Sequence, residues 1–211
     1  MPDAMSTVLV IDDDPDLRAS VGRLLRSIGL EVLLFASVSD FLGSSLPDTP
    51  MCLVLDVRLP GQSGLDFQRE LVAANRQVPI IFITGHGDIP MSVQAMKGGA
   101  IEFLTKPFRD QALLDAIQLG LSRDRTRRED EKALAALRER FGSLSPRERE
   151  IVIEVARGRL SKQIAGDIGI AEATVKVHRS RAMRKMNARS LPELGRMADK
   201  LRLVQEKPRQ S

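Results

Sequence analysis

The chain has 211 residues, 43% hydrophobic and 28% charged, proportions of a folded protein that exclude a wholly disordered one and leave room for one large domain or two modest ones. No apolar run approaches the ~20 residues of a membrane span, and the start, MPDAMSTVLVIDDD, lacks a basic stretch followed by a signal-type apolar one, so a cytoplasmic protein with no membrane partner is expected. The formal net charge of +4 conceals a division, because residues 1–121 carry 9 Lys/Arg against 15 Asp/Glu and residues 122–211 carry 23 against 13; an acidic module tethered to one that meets a polyanion, most often nucleic acid, is expected.

Apolar runs of strand length occur at residues 8–11, 32–35, 53–55, 80–83 and 103–104, each followed by a turn and a helix-compatible segment. Runs apolar on successive residues are what strands buried on both faces look like, so the pattern predicts a five-stranded, doubly wound parallel sheet covered by helices. The single cysteine, Cys52, lies at the head of the third run; it permits no disulfide and reads as a buried filler. Ligands of such sheets bind at the carboxyl ends of the strands. There the sequence places Asp12, Asp13 and Asp14 after the first strand, Asp56 on the third, Thr84 on the fourth, and Lys106-Pro107 after the fifth. Carboxylates gathered in one pocket raise one another's pKa and need a cation to stay ionised together, a need that Mg²⁺ and Lys106 would meet. Each signal alone is weak, since a run of Asp after a strand also suits a helix N-terminus. Their conjunction on successive strand ends is specific.

Residues 8–121 resemble the receiver domain of a two-component response regulator, through VLVIDDD, LVLDVRLPGQSGLDF, IIFITGHGD and FLTKPF. The resemblance implies a flavodoxin-like fold with Asp56 as phosphoacceptor. Asp13 would bind Mg²⁺ directly and Asp12 through water, with the Arg58 backbone carbonyl and Asp56 completing the protein ligands. Thr84 and Lys106 would hold the phosphoryl oxygens. In the family an aromatic on the fifth strand turns inward with the Thr; here it would be Phe103, which lacks the phenolic hydroxyl of the Tyr found in many relatives and would act by packing. Arg58 and His86, each two places beyond a key residue, are expected to tune phosphate lifetime.

From Phe108 a helical apolar pattern continues through Leu113, Leu114, Ile117 and Leu121, whereas residues 122–132, SRDRTRREDEK, contain no apolar side chain. Opposite charges at helical spacing, Asp124/Arg128, Arg125/Glu129 and Arg127/Glu131, suit a solvated helix. Leu134, Leu137 and Phe141 then restore an apolar stripe. A single helix from about Arg109 to Arg140 would be roughly 48 Å long, at about 1.5 Å per residue; a flexible tether is the competing reading. The division expected is 5–121 for the receiver, 122–143 for a charged helical linker and 144–206 for a small all-α four-helix domain.

In that last module Ser145-Pro146-Arg147-Glu148 and Ser190-Leu191-Pro192-Glu193 read as capping boxes. Between them Ser161 is expected to cap one helix that stops at Gly169, and a tight turn leads into a second over about Glu172–Asn187, the helix-turn-helix arrangement. Val175, His178, Ala182 and Met186 share its inward face; Lys176, Val177, Ser180, Arg181 and Arg184 share the other. LSPREREI, KQIAGDIGI and ATVKVHRSRAMRKM resemble the LuxR/FixJ-type DNA-binding domain. By resemblance Lys176, Val177 and Ser180 face base edges, while Thr174, Arg179, Arg181, Arg184 and Lys185 contact phosphates. Ala171 departs from the Ser or Thr that many relatives place at the helix cap.

These resemblances imply a transcriptional regulator phosphorylated on Asp56 by a sensor histidine kinase and binding promoter half-sites in double-stranded DNA as a homodimer, with RNA polymerase as a further contact. The expected dimer surface is residues 91–97, Phe103 and residues 112–121. Alternatives are a receiver-controlled RNA-binding antiterminator and a regulator that works without phosphorylation. A turning-over enzyme is disfavoured because Asp56-Val57-Arg58 lacks an acid two residues beyond the nucleophile; only Mg²⁺-dependent self-phosphorylation and dephosphorylation are expected.

Overall fold

The computed structural model describes residues 6–203, so residue 5 and residues 204–206 of the expected domains lie outside the described residues. Two compact units divide between Arg128 and Glu129. The first contains β1 (Thr7–Ile11), α1 (Pro15–Ser27), β2 (Glu31–Phe35), α2 (Val38–Leu42), β3 (Met51–Asp56), α3 (Gly64–Ala73), β4 (Ile80–Thr84), α4 (Ile89–Lys97), β5 (Glu102–Thr105) and the first part of α5 (Asp110–Gly142). All strand pairs are parallel, in the order β2-β1-β3-β4-β5. β1 lies between β2 and β3, so the chain reverses its direction of winding beside β1 and β3, where a crevice opens at the carboxyl ends.

Successive residues of the inner strands face two different cores. Leu9, Ile11, Leu53, Leu55 and Phe82 pack with Phe41, Phe67, Leu71 and Ala95 from α2, α3 and α4. Val8, Val10, Val54, Ile81 and Ile83 pack with Val21, Leu25, Leu113 and Ile117 from α1 and α5. Each of the Val, Leu, Ile and Phe side chains enclosed here stabilises the fold by about 1.5–3 kcal/mol. The expectation of burial on both faces holds for β1, β3 and β4, whereas β2 and β5 are partly exposed because each is an edge strand. Cys52 is buried on β3, and burial, followed by the charge of Asp124, pushes its thiol up to about 12, which keeps it unreactive.

The charged stretch after residue 121 is not wholly solvated. Asp124 is completely buried: its Oδ2 accepts from the Met51 backbone N–H at 2.9 Å and from Arg128 Nε at 2.7 Å, and its Oδ1 accepts from Arg127 Nη2 at 2.5 Å. Arg128 also reaches Asp48 at 2.6 Å. These bonds fasten α5 beneath the amino end of β3, and they carry the first unit past residue 121 to Arg128. α5 itself is helical from Asp110 to Gly142.

The second unit contains the end of α5, α6 (Pro146–Ala156), α7 (Ser161–Ile168), α8 (Glu172–Met186) and α9 (Leu191–Lys200). Leu137, Leu144, Val152, Ala182, Met186, Leu194 and Ala198 form one core cluster; Ile151, Ile164, Ala165 and Val175 form another. Ser145 and Glu148 make the reciprocal capping box of α6. At α9 only half the expected box forms, because Glu193 Oε2 accepts from the Arg189 N–H instead. Ser161 does not cap α7: the cap is Leu160, whose N–H donates to Gln163 Oε1, and Ser161 is the first helical residue, turned inward to Arg179. Gly169 ends α7 with φ +68°, a conformation that glycine adopts without strain.

Candidate functional site

Asp12 follows the last residue of β1, is fully buried, and takes the Asp14 N–H on Oδ1 at 2.9 Å. Asp56 ends β3 and takes the Arg58 N–H on Oδ1 at 2.9 Å. Lys106 Nζ donates to Asp12 Oδ2 and Asp56 Oδ2, both at 2.6 Å, drawing together residues from β1, β3 and the loop after β5. Asp13 is exposed, and its carboxylate joins those of Asp12 and Asp56 in a cluster with oxygens within 4.8 Å of one another. Burial raises the Asp12 pKa against the lowering effect of Lys106. For Lys106, burial pulls the pKa down, but the bonds to Asp12 and Asp56 outweigh it and leave the ammonium raised. One ammonium against three carboxylates leaves two negative charges uncompensated. Three hard oxygen donors and a surplus charge of that size fit a Mg²⁺ ion.

Asp14 takes another role. Its side chain accepts from the Asp16 and Leu17 N–H groups and caps α1, leaving the first two acids of the run for the pocket. Arg18, one turn into that helix, donates to the Asp12 carbonyl oxygen at 2.5 Å. Sequence reading missed this residue; its helical register after the cap was the only available signal. Thr84 is fully buried at the end of β4 and its Oγ1 accepts from the His86 N–H at 3.3 Å. The His86 and Arg58 side chains are exposed beside the pocket's loops. Phe103 is half-buried, with its ring 6.4 Å from that of Phe82. A Cβ added at Gly87 would lie 2.8 Å from the Phe103 ring and 3.1 Å from the Thr84 methyl, so glycine there is what lets the loop after β4 close over both residues.

In the second unit α8 buries Val175, Ala182 and Met186 completely. His178 is half-buried on that same inward side, as expected of a packing residue, although its Nδ1 has no hydrogen-bond partner among the described residues. Lys176, Val177, Ser180, Arg181 and Arg184 line one shallow concavity on the outer face. Val177 is 49% exposed there, an apolar side chain among cations. Thr174 is exposed near the start of the helix, and Ala171 caps it without a side-chain bond. Lys176 pairs with Glu172 at 2.8 Å, and this neighbour holds the Glu172 carboxyl below its usual range. Arg179 and Lys185 are committed within the module. Arg179 donates to Ser161 Oγ at 2.8 Å, tying α8 to α7, and Lys185 Nζ bonds Glu148 Oε2 at 2.7 Å, tying α8 to α6. The bond from Lys185 is the main reason the Glu148 carboxyl is held low, against the opposing effect of burial.

A parallel sheet with an acidic, lysine-bridged pocket at its carboxyl edge, followed by a helix-turn-helix with a cationic outer face, defines a phosphoacceptor switch joined to a DNA-binding module. Comparison with known proteins agrees: residues 8–118 match the response regulator receiver domain, and residues 142–198 match the bacterial regulatory proteins of the luxR family. The chain is 55% identical over 194 residues to nodulation protein W of Bradyrhizobium diazoefficiens, covering 92% of this chain and 86% of that protein. It is 44% identical over 198 residues to the transcriptional regulatory protein FixJ of Azorhizobium caulinodans, covering 94% and 93%. The solved structure of the response regulator StyR superposes with a TM-score of 0.83 at 50% identity, covering 93% of this chain and all of that one. The chain belongs to the response regulators that carry a LuxR-type DNA-binding domain. Among the described residues no helix is long and apolar enough to cross a membrane.

Proposed function

We propose that phosphoryl transfer to Asp56 controls promoter binding by the basic module. The observation that carries the reading is the bridging of Asp12 and Asp56 by Lys106 Nζ at 2.6 Å, which sets a cation beside the carboxylate that would attack phosphorus. In-line transfer asks a protein mainly for positioning and charge neutralisation. An Asp56 oxygen would form its bond to phosphorus as the phosphorus–nitrogen bond of a kinase phosphohistidine breaks, the electron pair leaving with the imidazole. No general base is needed, since the carboxylate attacks as the anion. Asp12, Asp13, Asp56 and the Arg58 carbonyl would hold Mg²⁺, which supplies charge neutralisation for the transferring group. Lys106 and Thr84 would hold the phosphoryl oxygens, Phe103 would follow Thr84 by packing, and Arg58 and His86 would screen the product from water.

The described apolar exposure supports a homodimer through α4 and α5, where Val93, Met96 and Leu119 are each at least 44% exposed. On α8, Lys176, Val177 and Ser180 would read base edges of duplex DNA, with Thr174, Arg181 and Arg184 on phosphates. Arg179 and Lys185 are further candidates for phosphate contact that would act while holding Ser161 and Glu148. RNA polymerase contact and a cytoplasmic location complete the reading, and of the expected division into 5–121, 122–143 and 144–206 the first boundary is moved on to Arg128, where the first compact unit ends. The deciding experiment is genome-wide mapping of bound DNA with and without a small phosphodonor, for the wild type and Asp56→Ala. Donor-dependent occupancy in the wild type alone is expected. Identical occupancy in every arm would overturn phosphate control and favour a phosphorylation-independent regulator, and preference for single-stranded RNA would favour an antiterminator.

A further inference from the structure

At the amino end of the sheet, on the far side from Asp56, the first unit has an open pocket of about 310 Å³ between the ends of α3 and α4, the start of β4 and the α5 segment around Asp124. That volume is at the lower end of the range for small-molecule sites. Its lining is mixed: Leu71, Val72, Pro79, Ile80 and Ile101 contribute an aliphatic wall beside polar and charged side chains. Val72 is 63% exposed, a large apolar side chain left in water at the rim.

The charged lining is lopsided: Arg76, Arg123 and Arg127 against a single acid, Asp124. That acid is already committed, to the Met51 N–H, Arg127 and Arg128. Arg127 is therefore neutralised and fixed in place. Arg76 and Arg123 are exposed and make no side-chain hydrogen bond or ion pair among the described residues. Arg76 is uncompensated although residues 1–121 carry more acid than base, while Arg123 stands at the start of the basic stretch. They also lie in the unit that holds the acidic pocket, not on the α8 face that would meet DNA. A guanidinium is a planar fork matched to a carboxylate, and beside an aliphatic wall it favours an anion that carries an apolar body.

We propose that this pocket binds a small organic acid, its carboxylate held by Arg76 and Arg123 and its short aliphatic body laid against Leu71, Val72 and Ile80. The site would join α3, α4 and α5 through one ligand, opposite the end of the sheet where Asp56 lies.

The test is calorimetric titration of the full chain with hexanoate, hexanamide, acetate and inorganic phosphate. Hexanoate is expected to saturate one site with a dissociation constant of about 0.1–10 mM, an affinity suited to an open pocket and a small ligand. Hexanamide and acetate, each lacking one half of the recognition, should bind at least about tenfold more weakly, as should hexanoate to Arg123→Gln or Arg76→Gln. Both arginines are exposed and unpaired, so these substitutions leave folding intact, and Arg23→Gln on α1 controls for general anion binding. Non-saturable hexanoate binding would overturn the proposal. So would equal binding of hexanamide, phosphate binding as tight as hexanoate, or equal loss of affinity in Arg23→Gln and Arg123→Gln.

Discussion

Replacing Asp124 tests whether the helix leaving the receiver is anchored or merely solvated. In Asp124→Ala the buried Met51 N–H loses its acceptor, at a cost of about 1–3 kcal/mol. The side chains of Arg127 and Arg128, 27% and 19% exposed, lose their buried partner as well. Stranding a wholly buried charge costs about 3–5 kcal/mol, but these guanidinium groups reach water, so about 1–2 kcal/mol is the appropriate share. A total of about 2–5 kcal/mol follows, equivalent to a fall of about 6–25 °C in Tm for a unit of this size. Asp124→Asn keeps an acceptor for Met51 and should cost about half as much. Differential scanning calorimetry of the full chain reads the result as a shift of the receiver transition, with the transition of the second unit unmoved. A change below about 0.5 kcal/mol in Asp124→Ala would refute the anchoring argument.

Two further outcomes are expected in the basic module. Because Lys185 holds the folded Glu148 carboxyl below its ordinary value of 4.5, the stabilisation is fully present above about pH 4.5 and lost as pH falls through the lower folded value. Acid unfolding of the module should therefore steepen below about pH 4.5, and Glu148→Gln should be less stable at pH 7 by about 1–3 kcal/mol yet flatter across that acid window; parallel profiles would refute the link. On α8, Arg181→Gln should weaken binding of all duplexes alike and reduce the salt slope by about 0.9, whereas Val177→Ala should cost about 1–3 kcal/mol at one base step only; gel shifts over a salt series and a randomised site distinguish the two, and an unchanged slope in Arg181→Gln would remove it from the phosphate contacts.

The residues at the strand ends were legible because the chemistry of a parallel sheet is local to each strand's carboxyl terminus. Asp12, Asp56, Thr84 and Lys106 could each be placed by the apolar run preceding it, and closure of the sheet then brought them together. The inner face of α8 was legible for the same reason, since Val175, Ala182 and Met186 follow helical periodicity. The division of labour within DDD was not, because Asp13 and Asp14 differ only in whether the next turn is helical.

Periodicity and composition were therefore enough for two modules of opposite charge, a parallel sheet, an acidic rim and a cationic helix. Which charged groups meet partners depended on contacts between distant elements. Asp124 sits in a stretch with no apolar residue, yet it is buried because its acceptor duty lies 73 residues away at the head of β3. Lys185 and Arg179 belong to the basic face by composition, yet Glu148 and Ser161 claim them from other helices. The pocket with Arg76 and Arg123 exists only where the ends of α3 and α4, the start of β4 and the middle of α5 converge. Periodicity reports a residue's own element, whereas the burial of a charge depends on partners that only chain closure brings near.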